Sequence, residues 1–540
     1  MSIERLLKAK LPYWIPQVTG GATALLLPLP ALLQWHVYRR PAYGLMFLGE
    51  IIFVWLVLNS FRFRKLLLLP LVVVSIVVSG FIVMFGRLPG SFDFMAIYDA
   101  APGIAFPFLR RNAGGIFLAA GAIAIFSVCL ALCDKLEAAS TTETRALPEA
   151  KLKRWCRRVL ALMILLAAVV FLFGRRQELL SAYPFGVLAE TLATFRLEVK
   201  SNSYATCHPR IQGTDATTRP APSDMVAVLV IGESARRDMF GFANTVKPAH
   251  SATPALDRLA VEKSPNMLSF PGYYAVGQST VPNTLAMMNP FGVTDLMYSF
   301  DHPNLLHFFT WGGYAVDIMQ NHNCRMVEIY LSPGKECPLP PGNDDARLLP
   351  VLAGLLKERG RRLVVIRTIG SHISLYGGGV DREARIHAYR ETVQQTDRFL
   401  DELFGMVLRL DKPACAWYVS DHGENLGDNQ TKEFGHGEGN LTLKEIEVPS
   451  VVVANDAFIL WADDAWRHLK SNRQKTLTHS ALPHTLLGLF GLCPARYYQA
   501  ESDASSPLFK ENADPLLVTN SMIITSCRAV DGFPKNHGRE

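Results

Sequence analysis

Five short motifs in the second half of a 540-residue chain carry residue types that could do chemistry together. They are IGES with Glu233, VGQSTVPNT with Ser279, Thr280 and Thr284, GSH with His372, SDHGENLG with Asp421 and His422, and FGHGEGN with His436. Two carboxylates and an imidazole can hold a divalent cation, and a hydroxyl supplies a fourth tetrahedral ligand, a set suited to zinc. Threonine is a weak nucleophile at its ordinary pKa, but coordination to such an ion favours its alkoxide and aims it at a phosphorus centre. Pro282 fits the first turn of a helix, which puts Thr280 at or just before the N-cap, where free N–H groups and the positive dipole end suit a phosphate. Taken alone, Ser279 or Thr280 reads equally as a cap, Glu233 as a first-turn carboxylate, Asp421 as a turn residue and the histidines as loop residues.

The elements around these motifs explain why they should converge. Apolar runs at 225–232, 314–320, 362–370, 414–423 and 449–456 alternate with helix-length segments such as Arg382 to Leu408. Strands apolar almost throughout, each followed by polar residues and a helix, predict a mainly parallel sheet sandwiched by helices. Sheets of that kind bind ligands beyond the carboxyl ends of their strands, where Glu233, His372, Asp421 and His422 fall.

The first 175 residues are of another kind. Apolar blocks run from Tyr13 to Trp35, Tyr43 to Phe61, Leu66 to Phe85, Gly114 to Leu132 and Val159 to Phe173. They are 15 to 23 residues long and nearly free of charge inside, which predicts five transmembrane helices. Basic residues crowd alternate loops: Arg5, Lys8 and Lys10, then Arg62, Arg64 and Lys65, then seven between Lys135 and Arg158. The positive-inside rule therefore puts the N-terminus in the cytoplasm and everything after Phe173 outside. Residues 176–223 read as a membrane-surface or linker helix followed by a Pro-, Thr- and Ser-rich linker, and residues 224–540 as the exported domain. Cys207, Cys324, Cys337, Cys415, Cys493 and Cys527 lie beyond the last span, an even number in an oxidising setting, which predicts a disulfide, locally Cys324 with Cys337. A net charge of +6, much of it in the cytoplasmic loops, makes no case for nucleic acid.

Five spans followed by IGESARRD, GQST, GSH, SDHGENLG and GHG in this order resemble the bacterial phosphoethanolamine transferases. These are inner-membrane members of the alkaline phosphatase and sulfatase superfamily with a periplasmic catalytic domain, and they include lipid A-modifying enzymes. The resemblance implies an alkaline phosphatase-like fold and a zinc ion held by Glu233, Thr280, Asp421 and His422. It implies Thr280 as the nucleophile that carries phosphoethanolamine from phosphatidylethanolamine to lipid A, a core sugar or another envelope glycan. His372 and His436 would flank the phosphate and move protons, Ser279 would donate to it, and Asn321 and Arg325 in QNHNCR would match a substrate-contacting loop. The chain departs from the lipid A enzymes in three places. Ala275 and Thr284 or Leu285 stand near a cysteine pair of those enzymes, Arg367 replaces a histidine before GSH, and the stretch from His422 to His436 is longer. The departures bear on the acceptor more than on the catalytic set. Phosphoglycerol transfer with a similar site is the nearest alternative. A sulfatase would need Cys or Ser in a C/S-x-P-x-R pattern, and a degenerate, non-catalytic membrane sensor would need a missing ligand.

Overall fold

A computed structural model describes residues 219–533, apart from 245–250, 295, 297–301, 322–333, 338–341, 378–380, 429–433, 438–440 and 520–523. All of the described residues fall in one compact unit. The five expected spans and the 176–218 segment lie outside them, and among the described residues no helix is long and apolar enough to cross a membrane.

The core is a sheet of seven strands: β1 (Met225–Gly232), β2 (Met267–Ser269), β3 (Ala315–Gln320), β4 (Lys335–Cys337), β5 (Arg361–Arg367), β6 (Ala414–Ser420) and β7 (Ser450–Ala454). Their order is β2-β7-β6-β1-β5-β3-β4. Pairing is parallel from β6 across to β4, whereas β7 runs antiparallel to both of its neighbours. The expected mainly parallel sheet is thus present, with one reversed strand that an apolar run such as SVVVA does not reveal. β2 and β4, three residues each, were not foreseen. They are edge strands, too short for a period to register.

Helices α1 (Pro254–Glu262), α2 (Thr280–Met288), α3 (Leu305–Trp311), α4 (Leu349–Lys357), α5 (Ile373–Tyr376), α6 (Arg382–Leu408), α7 (Leu443–Ile446), α8 (Asp456–Trp461), α9 (Asp463–Asn472) and α10 (Leu482–Leu489) surround the sheet. Val226, Val228 and Val230 face one core with Leu352, Leu400, Leu403 and Phe404 of α4 and α6. Successive residues of a strand point to opposite faces, so Ala227, Leu229 and Ile231 serve the other. There Phe309 of α3, Phe458 of α8 and Phe490 pack together at centroid separations of 5.3 and 5.2 Å. Every residue of β1 is buried, and each large aliphatic side chain so placed stabilises the fold by roughly 1.5–3 kcal/mol. That burial fixes β1, β5 and β6 in register and so fixes where their last residues emerge. Cys337, Cys415 and Cys527 carry free thiols. The expected Cys324–Cys337 bridge is therefore not formed, Cys337 being a free thiol on edge strand β4 and Cys324 lying outside the described residues.

Candidate active site

Glu233 follows β1 directly and Asp421 follows β6, and the parallel register pairs Gly232 with Ser420, so both carboxylates leave the sheet at one level. The backbone turns sharply here. Ser234 holds a left-handed φ of 56°, a conformation that costs a non-glycine residue about 1–3 kcal/mol and persists where surroundings over-determine it. Its amide donates to Asp421 Oδ1 at 3.1 Å and its hydroxyl to Glu233 Oε1 at 2.8 Å, so the turn ties the two carboxylates together. Gly370 is required beside it: its φ is +48°, and a Cβ there would meet the Glu233 carbonyl oxygen at 2.7 Å.

The nucleophile motif arrives from another direction. Asn283 accepts from the amides of Val276 and Gly277, each at 2.9 Å, and donates to the carbonyls of Gly277 and Ser279 at 2.9 and 2.8 Å. This one buried side chain folds VGQS into a rigid approach to α2. Thr280 is the first helical residue and Ser279 the N-cap, one step from the expected position, with Pro282 in the first turn as expected. Neither reading of the motif as a simple cap holds, since no side-chain cap bond forms. Instead Thr280 Oγ1 lies 3.5 Å from Glu233 Oε2 and 3.4 Å from His422 Nε2. Thr284 is fully buried in the helix body.

His422 Nδ1 is 2.8 Å from the Gly423 carbonyl, which can only accept. The proton is therefore on Nδ1, and the Nε2 lone pair faces Thr280, Glu233 Oε1 at 3.5 Å and Asp421 Oδ2 at 3.6 Å. Burial disfavours the charged ring, but Asp421 and Glu233 outweigh it and raise the His422 pKa. Burial and the neighbouring Glu233 raise that of Asp421. Asp421 Oδ1 accepts from Ser234 and His422 amides, whereas Oδ2, buried, has no hydrogen-bond partner. Glu233 itself is 2% exposed. Buried anions that repel one another, an aimed imidazole lone pair and an orphaned carboxylate oxygen are what a divalent cation would satisfy. The residues fit the ion that the sequence suggested.

His436 also enters the group. Ligand atoms of Glu233, His422 and His436 lie within 4.8 Å of one another, and the His422 and His436 rings are 3.9 Å apart. Burial, then the charge on His422, lowers its pKa to about 3. His436 Nδ1 meets Glu424 Oε2 at 3.1 Å, and the same oxygen accepts a short bond from the Tyr376 hydroxyl. Glu424, whose carboxyl burial raises to about 7, was visible in SDHGENLG but not singled out, because nothing in the string tells which carboxylate turns toward a histidine 12 residues on. His479, also missed, contacts the Asp421 carbonyl through Nε2 at 2.7 Å and so braces the metal-facing turn.

His372 caps α5 through Ser374. It feels His436, Glu424, Arg367 and His422 electrostatically, and burial above all lowers its pKa to about 4. Asn321 stands apart from the expected substrate contact. Its side chain is buried, donates to Asp345 Oδ1 at 2.8 Å and accepts from the Gly342 amide at 2.9 Å. Through Asp345, which also accepts from the Ile369 and Gly370 amides, it ties the end of β3 to the loop before GSH. Arg325 lies outside the described residues.

Glu and Asp-His at the carboxyl edge of a mainly parallel sheet, opposite a threonine at a helix start, define an alkaline phosphatase-like domain, and residues 226–492 match the sulfatase family. Within it the chain is similar to phosphoethanolamine transferases. It is 26% identical over 307 residues to the phosphoethanolamine transferase EptA of Helicobacter pylori, covering 50% of this chain and 54% of that one. The chain spans about half the length of the curated relatives it matches. The solved integral membrane lipooligosaccharide phosphoethanolamine transferase A of Neisseria meningitidis superimposes with a TM-score of 0.62 at 18% identity, over 91% of this chain and 97% of that one. The C-terminal periplasmic domain of EptC from Escherichia coli, solved with zinc, gives 0.51 at 16% identity over 58% and 95%. These structural likenesses establish a shared fold.

Proposed function

We propose that this protein transfers phosphoethanolamine from phosphatidylethanolamine to a hydroxyl of lipopolysaccharide, on lipid A or a core sugar, or of another envelope glycan, through a phosphothreonine at Thr280. The observation that carries the reading is the Thr280 hydroxyl, which starts α2 without capping it and faces Glu233 and His422 at 3.5 and 3.4 Å. Glu233, Thr280, Asp421 and His422 would hold a zinc ion, the metal with which the EptC domain of Escherichia coli was solved, with His436 close enough to join them or to flank the phosphate. The ion would supply Lewis-acid activation of the hydroxyl and neutralise charge on the phosphoryl oxygens.

In the first step Thr280 Oγ forms a bond to phosphorus while the bond to the glyceryl oxygen breaks, and diacylglycerol leaves with the proton. His436, held neutral by burial and oriented by Glu424, is suited to pass that proton, with His372 on the other flank. In the second step an acceptor hydroxyl attacks phospho-Thr280 and its proton returns to Thr280 Oγ. Free N–H groups at the start of α2, with Ser279 beside them, favour the anionic phosphoryl group. Both substrates are membrane lipids or membrane-linked glycans, which accounts for five spans ahead of a periplasmic domain in the inner membrane, N-terminus cytoplasmic. The division into 1–175, 176–223 and 224–540 belongs to the same reading, and the likeness to an integral membrane enzyme over most of the chain supports it.

The test is mass spectrometry of lipopolysaccharide and other envelope glycans from cells with and without the gene, alongside a Thr280→Ala strain. A phosphoethanolamine increment that depends on Thr280 is expected. A phosphoglycerol increment, or an increment that survives in the alanine strain, would overturn the reading.

A further inference from the structure

Arg367 closes β5 with a side chain 2% exposed, and both terminal nitrogens, Nη1 and Nη2, are buried without a hydrogen-bond partner. Its nearest anion is Glu233 Oε2, 3.7 Å from Nη2, beyond hydrogen-bond range. A guanidinium placed to be the counter-ion of a carboxylate behaves differently in this same fold: Arg236 reaches Asp238 through Nε and Nη2 at 2.9 and 2.6 Å. Burying two unmet guanidinium donors costs free energy that an arriving acceptor would recover. Thr280 Oγ1 lies 3.5 Å from the same Glu233 oxygen that Arg367 flanks. Thr280 Oγ1 and Arg367 Nη2 thus converge on one carboxylate oxygen, at 3.5 and 3.7 Å, which brings a phosphoryl group on Thr280 to the neighbourhood of the guanidinium.

We propose that Arg367 binds a non-bridging oxygen of the phosphoryl group at Thr280, as a cation built into the fold for that purpose. The inference rests on the phosphothreonine reading above. Charge gathers on the non-bridging oxygens as the Oγ–P bond forms and the glyceryl P–O bond breaks, and a planar fork of N–H donors matches two such oxygens better than a point charge does. Arg367 acts only as a hydrogen-bond donor, and the histidines still carry the proton transfer.

The full-length, zinc-loaded protein in detergent is titrated with inorganic phosphate, and zinc content and thermal melting are recorded for each variant. Arg367→Met is expected to keep its zinc and to bind phosphate about 10- to 100-fold more weakly, with Arg367→Lys intermediate because it keeps the charge and loses the fork. Phosphate affinity within about twofold of the parent in Arg367→Met, no phosphate binding by the parent, or zinc loss in both variants would overturn the inference. Should Arg367→Met fail to fold, Arg367→Lys decides, and an unchanged phosphate affinity in it sinks the idea. Phosphoethanolamine trapped on parental Thr280, together with phosphate affinity indifferent to residue 367, would remove only Arg367. Phosphate bound with nothing trapped on Thr280 would instead remove the reading of function.

Discussion

Asp345 and Asp421 are both buried at the same edge of one sheet, and burial raises the pKa of each. Their surroundings differ. Asp345 accepts from Asn321 Nδ2 at 2.8 Å, the Ile369 amide at 2.9 Å and the Gly370 amide at 3.0 Å, so both of its oxygens are engaged. Asp421 leaves Oδ2 without a hydrogen-bond partner, beside Glu233, His422 and the Arg367 guanidinium, whose two terminal nitrogens also make no hydrogen bond. A buried polar group that is satisfied by the chain itself is scaffold, and one that the chain leaves short is waiting for something else. That contrast separates the loop-shaping cluster from the reacting one more sharply than burial or charge does.

Replacing Thr280 with alanine tests the reacting side and should have the largest effect. Transfer is expected to fall by at least about 10³-fold with little change in melting temperature, measured as product formation from labelled phosphatidylethanolamine. Next, Asp421→Asn should abolish zinc retention, yet leave the metal-free protein as stable or slightly more stable, because it removes an uncompensated charge. Asp345→Ala should do the reverse. Loss of a partner for three donors is expected to cost about 2–4 kcal/mol in denaturant unfolding while zinc is retained. Equal stability losses at the two positions would dissolve the contrast.

Glu424 gives a smaller, pH-dependent effect. Its carboxyl rises from an ordinary 4.5 to about 7 on folding, so the folded protein holds the proton more tightly than the unfolded chain does. Between pH 4.5 and about 7 the unfolded chain ionises first, and the metal-free protein must lose stability as pH rises through that window. Glu424→Gln cannot ionise there. The difference between parent and variant unfolding free energies should therefore change by up to about 3 kcal/mol across the window, and a pH-independent difference would contradict the buried, protonated carboxyl. Ser279→Ala, which removes one donor beside the phosphate, should lower turnover by only about tenfold.

Much of this arrangement was legible in the string of residues. Apolar runs located five of the strands, and α6 spans Arg382–Leu408 as expected, because long runs bury enough side chains to carry a clear period. Glu233, Asp421 and His422 stood out because polar residues that directly follow a buried strand have one place to go. Strand ends were less clear: β5 stops at Arg367 and not at Gly370, since Asp345 draws the Ile369 and Gly370 amides away from the sheet. The contacts of Asn321 and Glu424 were hidden for the same reason. Their partners, Asp345 and His436, are 24 and 12 residues away, and no local pattern records which hydrogen bonds the tertiary fold will make.

The most direct test of the central claim is peptide mapping by mass spectrometry after the full-length protein is incubated with phosphatidylethanolamine vesicles and zinc in the absence of any acceptor. One phosphoethanolamine unit on Thr280, with matching release of diacylglycerol and none in Thr280→Ala, is the expected result. Diacylglycerol release with Thr280 unmodified, or the group on another residue, would contradict the account.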